Sequence, residues 1–88
     1  MNLNINQLND NNENCLFDAC ISGNLELVKY LIRVCSDLNI NQLDISNRNC
    51  LFDACRSGNL ELVKYLIRVY PDLNINLLDN YGENCVFD

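Results

Sequence analysis

Six cysteines are the side chains most able to do chemistry in this 88-residue sequence. Two pairs share the spacing Cys-x4-Cys, namely Cys15 with Cys20 and Cys50 with Cys55, and Cys85 lies another 35 residues after Cys50. A thiol at the N-terminus of a helix has a lowered pKa and can act as a nucleophile or be oxidised reversibly. The cysteines therefore raise three alternatives: metal binding, nucleophilic catalysis and thiol redox chemistry.

Metal binding and catalysis lack the partner residues that they need. The sequence contains no histidine, and its cysteines do not form the close Cys-x2-Cys pairs of zinc sites. Asp18 and Asp53 each follow a cysteine by three residues, but a carboxylate is a poor base for a thiol. The sequence therefore predicts no metal site, no cofactor and no catalytic residue, and we expect the protein not to be an enzyme.

Packing and redox chemistry both remain as explanations of the cysteines. Cys15, Cys50 and Cys85 recur at one register and Cys20 with Cys55 at another, which is typical of residues that fill volume in a core. A disulfide framework would require export, and the N-terminal residues do not form a signal peptide. We therefore expect reduced thiols and a cytoplasmic, intracellular location. A redox sensor based on Cys15 and Cys50 stays open as an alternative function.

The net charge limits the class of partner. Six basic and twelve acidic residues give −6, which repels phosphate backbones and anionic lipid headgroups. We therefore expect binding neither to nucleic acid nor to membranes. A chain of this length allows one domain with a modest core.

The segments that carry these cysteines repeat with a period of 35 residues. Residues 14–44 and 49–79 differ at four of 31 positions. We expect two complete units and two fragments, divided as 1–8 (tail of a preceding unit), 9–43 (unit 1), 44–78 (unit 2) and 79–88 (truncated unit 3).

Each unit is predicted to contain two helices. Asn14 can cap the first, from about residue 15 to 22, by accepting a hydrogen bond from a free backbone N–H group. Gly23 can adopt the left-handed conformation that ends this helix, and Asn24 can cap a second helix over 25–34.

The second helix is predicted to be apolar on two sides. One apolar face follows helical spacing, and three more apolar residues widen it towards a neighbour. A helix pair of this kind cannot bury itself alone and needs a copy on either side. The two sets of apolar residues are Leu25, Val28, Leu31 and Ile32, and then Leu27, Tyr30 and Val34.

Two motifs resemble the ankyrin repeat. The segment GNLELVKYLI, at 23–32 and 58–67, is similar to the second helix of that family, and DNYG at 79–82 is similar to its hairpin turn. The resemblance implies an all-α fold, an ankyrin-type helix-turn-helix solenoid with short hairpin and extended connectors.

The sequence departs from the family pattern at the start of the first helix. Where the family has Thr-Pro-Leu-His, this chain has Asn-Cys-Leu-Phe or Asn-Cys-Val-Phe. Asparagine keeps the cap, and we expect Phe17, Phe52 and Phe87 to replace the hydrogen bonds of the family's histidine by apolar packing. Asn12 and Asn47 stand where the turn glycine is usual and are predicted to adopt positive φ. Two extra residues in each unit leave the shape of the connector open.

Candidate recognition residues are those that differ between units. In ankyrin-like proteins, turn and first-helix positions line the concave face that contacts partners, so the resemblance implies the same role here. Drift of exposed positions is an equally open explanation. The two arginines, close to two glutamates, predict a target of mixed charge. The predicted partner-binding residues are Asp10, Asn11, Glu13, Ile21, Ile45, Ser46, Arg48, Arg56, Asn80, Tyr81 and Glu83.

The function predicted from the sequence is a non-catalytic module that binds a protein partner through the concave face of stacked repeats. A redox sensor and a fragment of a longer array without an independent role are the alternatives. End-to-end self-association through uncapped repeats is a further expectation, because both ends of the sequence fall inside a unit.

Overall fold

Two helix pairs form the molecule, and they have closely similar structures. The computed structural model describes residues 6–35 and 37–87, except for the side chain of Phe87. Residues 1–5 of the predicted tail, Ser36 and Asp88 lie outside the described part, as does the predicted packing of Phe87. The described residues contain no strand, which confirms the all-α class. The elements are α1 (Cys15–Ile21), α2 (Leu25–Val34), α3 (Cys50–Ser57), α4 (Leu60–Val69) and a 3₁₀ turn (Cys85–Phe87).

Asparagine caps begin the helices, as predicted. The Leu16 N–H donates to Asn14 Oδ1 at 3.1 Å, and the Leu27 N–H donates to Asn24 Oδ1 at 3.1 Å. The same bonds recur at α3 and α4. Gly23 has a φ of 70°, which places it in the left-handed region that ends a helix. The second helix has its predicted bounds, and α1 ends one residue earlier than expected, at Ile21.

The turns before the first helices contain asparagine in a conformation that few side chains tolerate. Asn12 and Asn47 both have a φ of 60°, in the left-handed region. Asparagine is one of the residues best able to adopt it. The prediction of positive φ at these two positions is therefore confirmed.

The core lies mainly between α1 and α3. Phe17 and Phe52 are each only 2 % exposed, and Leu16 and Leu51 beside them are 1 % exposed. Full burial of an aromatic or leucine side chain stabilises a fold by about 1.5–3 kcal/mol. The predicted apolar packing is thus confirmed for Phe17 and Phe52.

The widened apolar stripe of the second helix is covered only where a neighbouring helix pair is present. Leu62 on α4 is fully buried, whereas Leu27, its equivalent on α2, is 41 % exposed. Tyr65 is half-buried, with Lys29 Nζ of the first pair 5.4 Å from its ring centre, while Tyr30 is 52 % exposed. The second pair therefore uses the first pair as the neighbour that the sequence requires.

The opposite face of the second helix shows the complementary pattern. Leu25 and Ile32 on α2 are half-buried, whereas their equivalents on α4, Leu60 and Ile67, are exposed. Each end of the two-pair stack therefore presents apolar side chains. End-to-end self-association through these faces stays a prediction.

Asparagine side chains link the connector segments that precede the three hairpin turns. Asn6 Nδ2 donates to the Asp37 carbonyl at 2.9 Å, and the Asn39 N–H donates to Asn6 Oδ1 at 2.9 Å. Asn41 makes both bonds again to the residues one period further on, at 3.3 and 3.2 Å. This asparagine ladder fixes the shape of a connector that sequence reasoning left open.

Two further amides tie the helices to these connectors and to each other. Asn49 is 1 % exposed; besides capping α3, its Nδ2 donates to the Asn74 carbonyl at 3.1 Å. Asn59 Nδ2 donates to the Gly23 carbonyl at 2.7 Å and so joins α4 to the turn between α1 and α2. The cap residues therefore help to hold one helix pair against the next.

Candidate partner-binding surface

Three hairpin turns carry most of the predicted recognition residues. In each turn, one side-chain oxygen accepts two backbone N–H groups. Asp44 Oδ1 accepts from Ser46 at 2.8 Å and from Arg48 at 3.0 Å, and Asn9 and Asp79 make the equivalent bonds. Because these bonds are internal to each turn, the conformation of the tip does not depend on a partner.

Backbone hydrogen bonds hold neighbouring tips side by side. The Ile45 N–H donates to the Asn11 carbonyl at 3.0 Å, and the Asn80 N–H donates to the Ser46 carbonyl at 2.9 Å. Asn80 Nδ2 also donates to the Ile45 carbonyl at 3.2 Å. The three tips therefore form one continuous row.

Most of the predicted recognition residues can be reached by solvent. Tyr81 is 76 % exposed, Ile45 is 59 % exposed and Ile21 on α1 is 40 % exposed. The other exposed recognition residues are Asp10, Asn11, Arg56 and Asn80. The half-buried recognition residues are Glu13, Ser46 and Glu83. Contact of these residues with a partner stays a prediction.

Arg48, one of the predicted recognition residues, makes an ionic contact with a buried residue of the same molecule. Its Nε and Nη2 atoms both lie 2.8 Å from Asp79 Oδ2. The Arg48 side chain is 17 % exposed, the Asp79 side chain is fully buried, and the guanidinium lies 5.6 Å from the Phe52 ring centre. This ion pair joins the second turn to the third and gives Arg48 a structural role that the sequence analysis did not anticipate.

The ion pair also changes the acidity of its carboxyl group. Burial raises the pKa of Asp79, but hydrogen bonds from the Glu83 and Tyr81 backbone N–H groups and from Arg48 outweigh it. The net effect is a pKa below the ordinary value. Asp79 is therefore a carboxylate at neutral pH, as the ion pair requires.

Asp53 is an acidic residue of the same surface that sequence reasoning weighed only as a base for a thiol. Its pKa is raised from 3.8 to about 7, mainly by burial and then by the charge of Glu13, with a smaller contribution from Asp44, while Arg56 and Arg48 partly offset the rise. Asp53 precedes Arg56 by one helical turn and so shares its face. That spacing was visible in the sequence and is the signal that could have identified Asp53.

Cys15 and Cys20 both have a pKa above the ordinary value of a thiol. Burial, followed by the charge of Cys35, raises the pKa of Cys15. A hydrogen bond with Cys50 is the main cause of a strongly raised pKa at Cys20, and both residues are at most 2 % exposed. Because the thiolate is the reactive form, a redox sensor is not favoured. Packing in the core explains the presence of cysteine at positions 20 and 50, which are buried. Cys15 is exposed to solvent.

The described part of the chain has neither a cluster of metal-ligating side chains nor a membrane-spanning helix. Residues 6–35 and 37–87 contain no group of three or more histidine, cysteine or acidic side chains placed to hold a metal ion. Within the same residues, the helices are too short or too polar for any of them to cross a lipid bilayer.

The chain is similar to a known repeat family over most of its length. A family model for ankyrin repeats in three copies matches residues 1–79. The match includes both helix pairs and ends at Asp79, the first residue of the third turn. No curated protein matches the chain.

Proposed function

The chain belongs to the ankyrin repeat family, and on this basis we propose that it is a non-catalytic module that binds a protein partner. Ankyrin repeats generally mediate protein–protein interaction. The partner docks on a surface that we call the tip surface. It comprises Asp10, Asn11, Glu13, Ile21, Ile45, Ser46, Arg56, Asn80, Tyr81 and Glu83.

This proposal rests on the positions at which the residues of the two helix pairs and their turns differ. Core residues such as Phe17 and Phe52 are identical between pairs, whereas the turn tips carry different side chains. Ile45 and Tyr81 at two of these tips are large, apolar and exposed. The turns are already fixed by backbone bonds, so these two side chains are not needed to shape them. Exposed apolar and aromatic side chains on a rigid frame are typical of binding surfaces.

A capture experiment with matched variants tests the proposal. The full chain, the double variant Ile45→Ser/Tyr81→Ser and the control Val34→Ser are immobilised, and the retained proteins are compared by quantitative mass spectrometry. Val34 is 48 % exposed on α2, outside the tip surface, so it controls for loss of an exposed apolar side chain. Circular dichroism verifies that all three are folded.

The expected result is a partner that the full chain and the control retain and the double variant does not. With that partner purified, calorimetry should show binding at least about tenfold weaker for the double variant. A partner retained equally by all three proteins would place recognition elsewhere. If no protein is specifically retained, the result would count against the proposal that the chain is a protein-binding module.

A further inference from the structure

Two exposed apolar side chains stand on neighbouring turns of the tip surface. Ile45 is 59 % exposed and Tyr81 is 76 % exposed. The turns that carry them are joined by the bonds of Asn80 to the Ser46 and Ile45 carbonyls, at 2.9 and 3.2 Å. The two exposed side chains, which we call the anchor site, are therefore held on one rigid backbone, and this reduces the entropy lost on binding.

The surroundings of this anchor site are acidic. The sequence predicts a mixed charge, but the structure removes Arg48 from the balance because Asp79 neutralises it. Arg56 adds a positive charge to the same surface. The acidic residues of the tip surface are Asp10, Glu13 and Glu83, and the half-buried Asp53 lies close enough to Glu13 for their charges to interact, so acidic side chains outnumber the one arginine.

We propose that the partner presents a basic peptide segment, with one apolar side chain that packs on Ile45 and Tyr81 and flanking lysine or arginine side chains that reach Glu13 and Asp53. This inference rests on the proposed function, and it adds the chemical class of the partner. Complementary charge selects this occupant, because a neutral or acidic segment would leave the repulsion between the carboxylates in place.

The state of Asp53 supports the inference. Burial raises its pKa most, Glu13 and Asp44 raise it as well, Arg56 and Arg48 lower it, and the net value is about 7. A basic side chain of the partner would lower this pKa again, so binding releases a proton. Affinity should therefore increase from pH 6 to pH 8.

A displayed library of short random peptides tests the inference on the full chain. Selections are run in parallel on the full chain, on Ile45→Ser/Tyr81→Ser and on Val34→Ser. A synthetic peptide of the selected consensus is then titrated by fluorescence anisotropy at pH 6 and pH 8, with Asp53→Asn as a further variant.

We expect selected peptides that combine lysine or arginine with one large apolar residue. Their affinity should fall at least about tenfold in the double variant and stay within about twofold in the control. Binding to the full chain should be several-fold tighter at pH 8 than at pH 6, and Asp53→Asn should remove this difference.

The outcomes separate this inference from the proposed function. If neutral or acidic peptides bind the tip surface, the proposal of a basic partner is wrong, while the proposed protein-binding function stands. Basic peptides that bind the double variant as well as the full chain overturn the anchor site, because charge attraction alone would then explain them. If no peptide is selected on any variant, both proposals lose their support.

Discussion

Replacement of Asp53 by asparagine should make the protein more stable at pH 8. The half-buried carboxyl lies near Glu13 and Asp44, and its pKa of about 7 shows that its charged form is disfavoured in the folded state. Asparagine has nearly the same shape and remains neutral at every pH. The variant therefore removes a charge that the fold holds at a cost.

The size of the effect follows from the difference in pKa. A change from 3.8 to about 7 sets a ceiling of about 4 kcal/mol, at about 1.36 kcal/mol for each pKa unit. The carboxyl retains contact with water, and solvent screening reduces this ceiling strongly. We expect a gain of about 1–2 kcal/mol in the free energy of unfolding at pH 8 for Asp53→Asn.

The direction of the pH dependence follows from linkage. The folded state binds the proton of Asp53 more tightly than the unfolded chain does, so its stability contribution is complete below about pH 4. It is lost as the pH rises through about 7. The sequence contains no histidine, so side chains that ordinarily titrate between pH 5 and pH 8 do not obscure the change.

Urea unfolding followed by far-UV circular dichroism, with a reductant present, measures the effect at pH 5 and pH 8. The full chain should lose about 1–2 kcal/mol between these values, and Asp53→Asn should lose little. Asp18→Asn is the matched control, because Asp18 is the equivalent residue on α1 and is exposed. An equal loss in the full chain and in Asp53→Asn would refute the reasoning, as would a gain of the same size in the control.

Three other predictions concern the contacts between helix pairs and the thiols. Arg48→Met should lower the midpoint of thermal unfolding by about 10 °C, because it leaves the buried Asp79 carboxylate without its partner; a change below about 2 °C would contradict that role. Asn41→Ala should lower the free energy of unfolding in urea by about 1 kcal/mol, because Asn41 makes two hydrogen bonds to the following connector. Asn76→Ala, at the equivalent position of the next connector, is the control and should cost less than about 0.5 kcal/mol. Equal losses in the two variants would argue against the asparagine ladder. In the folded protein a thiol reagent should label Cys15 before the buried cysteines, as followed by peptide mass spectrometry, and uniform labelling of all six would contradict the burial described.

The helices were predictable because the signals that define them are local. Asn14, Gly23 and Asn24 fix the ends of α1 and the start of α2 through bonds and dihedral angles within a few residues. The apolar residues between these signals follow the helical period. This part of the fold could therefore be predicted from local signals and from the repeat, without information on distant contacts.

The charge of the tip surface could not be predicted in the same way. Glu13 with Asp44 and Arg48 with Asp79 have the same separation of 31 residues, but one pair has like charges and the other forms the ion pair. Which charges remain available to a partner depends on the lateral distance between turns. This distance is not encoded in local spacing, so Arg48 could not be distinguished from the exposed residues of the surface by sequence alone.

The connectors were the least predictable part of the fold. Each asparagine of the ladder bonds to atoms 31 and 33 residues further along the chain. No turn motif within the connector specifies such bonds, because the partner groups belong to the next connector.

The asparagine ladder has a consequence for how such a chain can change in evolution. Every bond of the ladder joins the same two positions of the repeat in successive connectors, so insertion or loss of one whole period gives each amide a new partner of the same kind. A copying error that adds or removes a complete unit therefore yields a chain that folds through the contacts it already had. The number of units in the lineage can then vary by single genetic events, and each new length is available to selection as a folded protein.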